Sequence, residues 1–115
     1  MKPLIAGLFV VVAASGGQSP QTFTGTITDE MCAGVGHAHM RMGPTDAECT
    51  TACVQAHGTT YVLEDGEDVY ALSDQETPEA FAAQTVRVVG TLDAGTRTIQ
   101  VESIAAQAAQ EPARR

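Results

Sequence analysis

Short segments in which apolar and polar residues alternate are the feature that most constrains how this chain can fold. In residues 22–28 every second residue is a threonine, and Phe23, Gly25 and Ile27 fall between them. Residues 86–92 alternate in a similar way. A period of two is typical of a half-buried β-strand, whereas an amphipathic helix repeats every 3.6 residues. The chain is therefore predicted to be mainly β.

Turn signals divide the rest of the chain into further strands. An Asp-Gly pair lies between residues 59–63 and 68–72, which is typical of a β-hairpin. Residues 93–96 form the next turn signal, before a fifth alternating segment around Ile99. Pro78 can begin a short helical turn, because proline suits a first helical position. These signals predict five strands, with a short helix between the third and the fourth.

One longer helix is predicted over residues 46–57, between the first two strands. Thr45 and Glu48 have the spacing of a capping box, and Asp46 suits the positive end of the helix dipole. Gly58 is a natural C-terminal stop. The predicted fold is thus a small five-stranded OB-like barrel with one helix inserted between strands 1 and 2 and a short helix between strands 3 and 4. A meander that closes differently is the alternative.

The domain boundaries follow from the two ends of the chain. Residues 1–17 have the organisation of a secretory signal peptide, with Lys2 before an apolar run of 11 residues and small residues after it. A bilayer span needs about 20 residues, so we expect cleavage and no membrane attachment afterwards. The barrel is expected to span residues 22–104. Residues 105–115 lack core-forming side chains and are expected to be disordered.

Length and charge limit the range of functions. A chain of 115 residues that loses such a leader holds a single domain. Its net charge of −8 becomes −9 when Lys2 leaves with the leader. A surface with this much negative charge repels phosphate backbones, so we do not expect nucleic acid to be a partner. We expect a periplasmic or secreted protein.

Several of these segments resemble an uncharacterised family of small exported bacterial OB-like domains, a domain of unknown function. The resemblance rests on Gly-Thr-Ile-Thr-Asp-Glu-Met-Cys at residues 25–32, the pair Cys49 and Cys53, the hairpin motifs of residues 61–72, and Val-Arg-Val-Val-Gly-Thr-Leu at residues 86–92. Ala33 departs from the family pattern, which has glycine directly after the first cysteine. The resemblance implies export and a barrel, and it implies no reaction.

Cysteine chemistry is the most distinctive feature of the sequence. Cys49 and Cys53 are four residues apart on the predicted helix, which places their Cβ atoms about 5–6 Å apart. A disulfide needs about 3.5–4.5 Å, so these two should not bond to each other. Cys32 in the preceding loop can reach either of them. A disulfide from Cys32 to Cys49 or to Cys53 would stabilise the fold by about 3 kcal/mol.

A metal site is the competing interpretation of the same region. Sulfur and imidazole ligands are concentrated within 26 residues, at Cys32, His37, His39, Met40, Met42, Cys49, Cys53 and His57. Such ligands suit copper or zinc. The preferred set is Cys32, Cys49 and Cys53 with His37 or His39. A second set combines Cys53 and His57 with loop ligands, and the two methionines can equally be packing residues.

Other chemistry receives less support. The Cys-x-x-Cys spacing of thioredoxin-like proteins is absent, and no nucleophile motif of a hydrolase is present. We therefore expect a binding domain rather than an enzyme, with a soft or borderline metal ion as its ligand. The alternative is a disulfide-stapled module that binds a protein or a saccharide and holds no metal.

Overall fold

The computed structural model describes residues 19–107, and all five predicted strands are present there. The strands are β1 (Gln21–Asp29), β2 (Tyr61–Glu64), β3 (Val69–Leu72), β4 (Thr85–Asp93) and β5 (Thr98–Ala106). Helix α1 (Asp46–His57) lies between β1 and β2, and a 3₁₀ helix (Thr77–Phe81) lies between β3 and β4. This order confirms the prediction of a mainly β fold with two inserted helices.

The five strands form one sheet that closes into a ring. Their order is β1-β2-β3-β5-β4, and β4 pairs with β1 to complete the barrel. Every neighbouring pair is antiparallel except β3 and β5, which are parallel. The short parallel contact, between Ala71 and Thr98 and between Leu72 and Ile99, is the seam that joins the hairpin to the last strand. The OB-type plan stays a prediction.

Alternation along the strands builds the barrel interior, as the sequence predicts. Ile27, Val86 and Val88 are fully buried, and Phe23 packs against them from a partly buried position. The other buried members of this core come from the remaining strands: Tyr61, Leu63, Leu72 and Ile99. The final three residues of β1, from Ile27 to Asp29, are all buried. Because consecutive strand residues face opposite sides, this end of β1 is covered on both faces.

Helix α1 begins and ends where its capping residues predict. Thr45 Oγ1 accepts a hydrogen bond from the Glu48 backbone N–H at 3.1 Å, and Gly58 ends the helix in the left-handed region with φ of 67°. The helix packs against β1 and directs Cys49, Thr50 and Cys53 inward. It therefore closes the side of the barrel beside the end of the first strand.

Strand β5 includes two alanines after its last large apolar residue. Strand β5 continues to Ala106, two residues past Ile104, because Ala105 and Ala106 pair with Arg87 and Val86 of β4. Backbone pairing needs no large side chain, which is why the alanines continue the strand. The predicted leader, residues 1–17, and the tail after residue 107 lie outside the described residues. Within residues 19–107 no helix has the length and apolarity needed to cross a bilayer.

Candidate metal centre

Three cysteine side chains meet between α1 and the end of β1. Cys32 follows β1 directly, whereas Cys49 and Cys53 lie one turn apart on α1. Their exposed fractions are 2%, 0% and 0%, and their three Sγ atoms all lie within 4.8 Å of one another. The expectation that Cys32 meets the sulfur-bearing side of the helix is confirmed.

A tight turn after β1 brings Cys32 back towards the helix. The backbone N–H of Cys32 donates to both the carbonyl oxygen and the Oδ2 atom of Asp29, each at 3.1 Å. The N–H of Gly36 then donates to the Cys32 carbonyl at 2.8 Å. Gly34 and Gly36 have φ of 81° and 83°, in the region that glycine adopts most readily. The glycine-rich sequence thus reverses the chain and fixes Cys32 in place.

The sulfur atom of Cys49 on α1 forms hydrogen bonds that hold the remainder of the loop. Cys49 Sγ accepts from the Met42 N–H at 3.4 Å and lies 3.5 Å from the Met40 carbonyl oxygen, to which its thiol donates. The Met42 side chain packs against the cysteine cluster. Arg41 forms an exposed ion pair with Asp46 at 2.6 Å. Met42 therefore takes the packing role that was one of the two alternatives for it.

All three cysteines are free thiols in the structure. The disulfide from Cys32 to Cys49 or Cys53 that the sequence suggested is not formed there, although the sulfur atoms are close. Cys49 and Cys53 are also not bonded to each other, in agreement with their spacing on the helix.

Burial and a neighbouring carboxylate raise the pKa of two of these thiols, Cys32 and Cys53. Burial, followed by the hydrogen bond and negative charge of Asp29, raises the pKa of Cys32 to about 12. Burial and the charge of Asp29 also raise the pKa of Cys53. A thiol with a raised pKa is a poor nucleophile, so Cys32 and Cys53 are poorly suited to thiol redox catalysis. A cation can still bind, provided that it displaces the thiol protons.

The three histidines have different positions relative to the cluster. His37 is half-buried, and its ligand atom lies within 4.8 Å of those of Asp29 and Cys32. His39 is exposed and its Nδ1 atom is 2.9 Å from the Gly36 carbonyl oxygen. His57 is exposed at the end of α1. Among the described residues, His39 and His57 belong to neither group of converging ligand atoms.

Asp29 is the residue of this site that sequence reasoning missed. The alternating segment described from the sequence covers residues 22–28 and leaves Asp29 outside it, yet Asp29 is fully buried. A signal was available, because Asp29 shares the odd-numbered inward phase of Phe23, Gly25 and Ile27. An acidic residue in the inward phase of a strand, three residues before a cysteine, is a candidate metal ligand.

The fold and the site together define a small closed β-barrel with a buried three-cysteine cluster on its side. Residues 53–107 match the model of an uncharacterised family, described as "Protein of unknown function (DUF5818)". This match agrees with the expected resemblance to an uncharacterised family. It covers the barrel from the end of α1 onwards and, of the three cysteines, contains only Cys53. No curated protein and no solved structure matches the chain.

Proposed function

We propose that this protein is an exported binding domain that holds a soft or borderline transition-metal ion, Cu(I) or Zn²⁺, at Cys32, Cys49 and Cys53. The observation that carries the proposal is the approach of three buried sulfur atoms to within 4.8 Å of one another. Thiolates are the ligands that Cu(I) and Zn²⁺ favour. The domain therefore binds a ligand and is not assigned a reaction.

Distances support coordination by small movements alone. Zinc–sulfur bonds of about 2.3 Å separate two sulfur ligands of a tetrahedral ion by roughly 3.8 Å. The three sulfur atoms, at no more than 4.8 Å, need to approach by about 1 Å at most. Two of them are fixed on one helix, and the third is fixed by the turn at Asp29. The fold thus supplies most of the preorganisation that a metal site needs.

Metal analysis of the reduced protein tests the proposal. We expect the purified chain to retain a stoichiometric amount of zinc or copper after gel filtration and the Cys53→Ser variant to lose it. His57→Gln is the matched control, because His57 is close in sequence and exposed outside the cluster. Absence of stoichiometric metal from the wild-type chain, after incubation with Zn²⁺ and with Cu(I), would refute the proposal.

A disulfide-stapled module without metal is the second candidate, and the proximity of the same sulfur atoms favours it. In an oxidising compartment two such thiols pair readily. Thiol counting on the protein, after removal of metal with a chelator, separates the two functions. One alkylatable thiol indicates the staple, whereas three indicate the metal site.

The proposed site of action is outside the cytoplasm, after removal of the leader. The apolar run from Leu4 to Ala14 and the small residues that follow it support this proposal. Fractionation of the expressing cells and N-terminal sequencing provide the test. We expect a mature chain that begins near residue 15 to 18 in the periplasm or the medium. Full-length protein confined to the cytoplasm would contradict export.

A further inference from the structure

A second group of converging ligand atoms adjoins the three-cysteine cluster. The ligand atoms of Asp29, Cys32 and His37 lie within 4.8 Å of one another, and Cys32 is the member common to both groups. Asp29 and His37 do not form a group with Cys49 and Cys53 within that distance. The Cys32 sulfur is therefore shared by two pairs of potential ligands, Cys49 with Cys53 and Asp29 with His37.

Two members of the second group have buried polar atoms without a partner. Asp29 Oδ1 and His37 Nδ1 make no hydrogen bond, although Asp29 is fully buried. The hydroxyls of Thr50 and Thr59 are also unpaired, so the missing hydrogen bond alone indicates no ligand. A buried carboxylate is far more costly to leave unpaired than a hydroxyl, because its negative charge has lost its water. Asp29 Oδ2 accepts a hydrogen bond from the Cys32 backbone N–H, so Oδ1 is the oxygen that is free to bind a cation.

No side chain in residues 19–107 forms an ion pair with Asp29. The two ion pairs among these residues, Arg41 with Asp46 and Arg97 with Asp68, do not involve Asp29. His37 approaches Asp29 without forming an ion pair or a hydrogen bond with it. Oxygen, nitrogen and sulfur ligands of a tetrahedral zinc ion are separated by roughly 3.3–3.8 Å, given bonds of 2.0–2.3 Å. The group is thus spaced to share a cation.

Charge balance favours two divalent cations when metal binding has deprotonated all three thiols and the Asp29 carboxyl group. Three thiolates and one carboxylate carry four negative charges. One Cu(I) ion would leave a buried charge of −3, and one Zn²⁺ ion would leave −2. Two divalent ions neutralise the cluster, which avoids the large desolvation penalty of a buried net charge. The mixed oxygen, nitrogen and sulfur ligands on the Asp29 side also suit Zn²⁺ better than Cu(I).

We infer that the cluster binds two divalent ions of the zinc class, one at Cys32, Cys49 and Cys53 and one at Asp29, Cys32 and His37, with the Cys32 thiolate bridging them. This inference rests on the proposed function and extends it from one ion to two. Each ion has three protein ligands, so each keeps a fourth position for water. Binding of the pair displaces the protons of the three thiols to solvent, and no electron transfer is involved.

Native mass spectrometry of the reduced chain with Zn²⁺ tests the stoichiometry. We expect two ions in the wild type and one in His37→Gln, which removes a half-buried ligand while leaving the three thiols in place. The retained ion also reports that this variant is folded. His39→Gln is the matched control and should keep two ions, since His39 is exposed two residues away. Cys32→Ser removes the bridge and should lose both.

The possible outcomes distinguish this inference from the proposed function. One ion in the wild type, unchanged in His37→Gln and lost in Cys49→Ala, would overturn the second position and leave the three-cysteine site intact. Two ions in both the wild type and His37→Gln would overturn the assignment of His37. No ion in the wild type would overturn the proposed function and this inference with it. Loss of one ion in Asp29→Asn would add support from the other new ligand.

Discussion

Cys49→Ala is the substitution that best separates a packing role of the cluster from a metal-binding role. In the metal-free protein it removes a fully buried sulfur and leaves the Met42 N–H without its acceptor. Loss of a small buried group costs about 1 kcal/mol, and an unpaired amide costs about 1 kcal/mol more. We therefore expect the free energy of unfolding to fall by about 2 kcal/mol. For a domain of this size, that lowers Tm by roughly 8–16 °C.

Zinc should widen the difference in unfolding free energy between the wild type and Cys49→Ala. A ligand at about 1,000 times its Kd stabilises the folded state by about 4 kcal/mol. Residual binding of zinc by cysteines of the unfolded chain reduces this gain. The variant lacks one of the three thiolates, so it should gain much less. The difference in unfolding free energy between wild type and Cys49→Ala should thus grow from about 2 kcal/mol to as much as about 6 kcal/mol.

Urea unfolding followed by far-ultraviolet circular dichroism measures both differences, in reductant with either EDTA or a fixed concentration of free Zn²⁺. Thr51→Ala is the matched control on the same helix, because its hydroxyl bonds only to carbonyl oxygens of α1. Its effect should be the same in EDTA and in zinc. A Cys49→Ala deficit that is equal under both conditions would refute a metal-binding role for Cys49 and leave only its contribution to packing.

Three further predictions concern the barrel and its caps. Gly90→Ala should lower the free energy of unfolding by about 3 kcal/mol or more, because a Cβ there would lie 2.3 Å from a backbone oxygen of β5. Gly95→Ala is the control and should change the free energy of unfolding by less than about 0.5 kcal/mol in the same urea assay. Thr45→Ala should lower the free energy of unfolding by about 1 kcal/mol through loss of the helix N-cap, whereas Thr45→Ser should lower it much less. Equal losses of stability for the two variants in thermal melts would contradict the capping role. The hydroxyl of Thr77 and two backbone N–H groups lower the pKa of Asp74. The ionised Asp74 should stabilise the fold above the unfolded-state pKa of about 4, and this stabilisation should be lost as pH falls through the lower folded-state pKa. The difference in unfolding free energy between wild type and Asp74→Asn should therefore shrink only in acid. A constant difference across a pH series of urea titrations would contradict this prediction.

Much of the fold follows from interactions between near neighbours in the chain. The ends of α1 were predicted correctly because capping depends on a few adjacent residues, Thr45, Glu48 and Gly58. The hairpin of β2 and β3 was predicted because Asp65 and Gly66 have the local geometry of a turn, where Asp65 Oδ1 accepts from two following N–H groups. The two alanines at the end of β5 depend instead on pairing with β4, which is distant in sequence.

The site was only partly accessible to such reasoning. Cys32, Cys49 and Cys53 were identified because sulfur chemistry is visible in the residue type alone. His37 and His39 were equivalent in the sequence, and only the path of the loop places His37 beside Asp29 and leaves His39 exposed. Asp29 was missed because an acidic residue at the end of a strand ordinarily faces solvent.

The sequence by itself determined the secondary structure and the set of available ligands, since both depend on residue type and on the nearest neighbours along the chain. The tertiary structure decided which ligands meet. Burial of Asp29 requires α1 and the loop to cover the end of β1, and the sharing of Cys32 between two ligand groups requires three separate segments to converge. Desolvation and charge balance act on that three-dimensional arrangement, and neither can be evaluated from the order of residues alone.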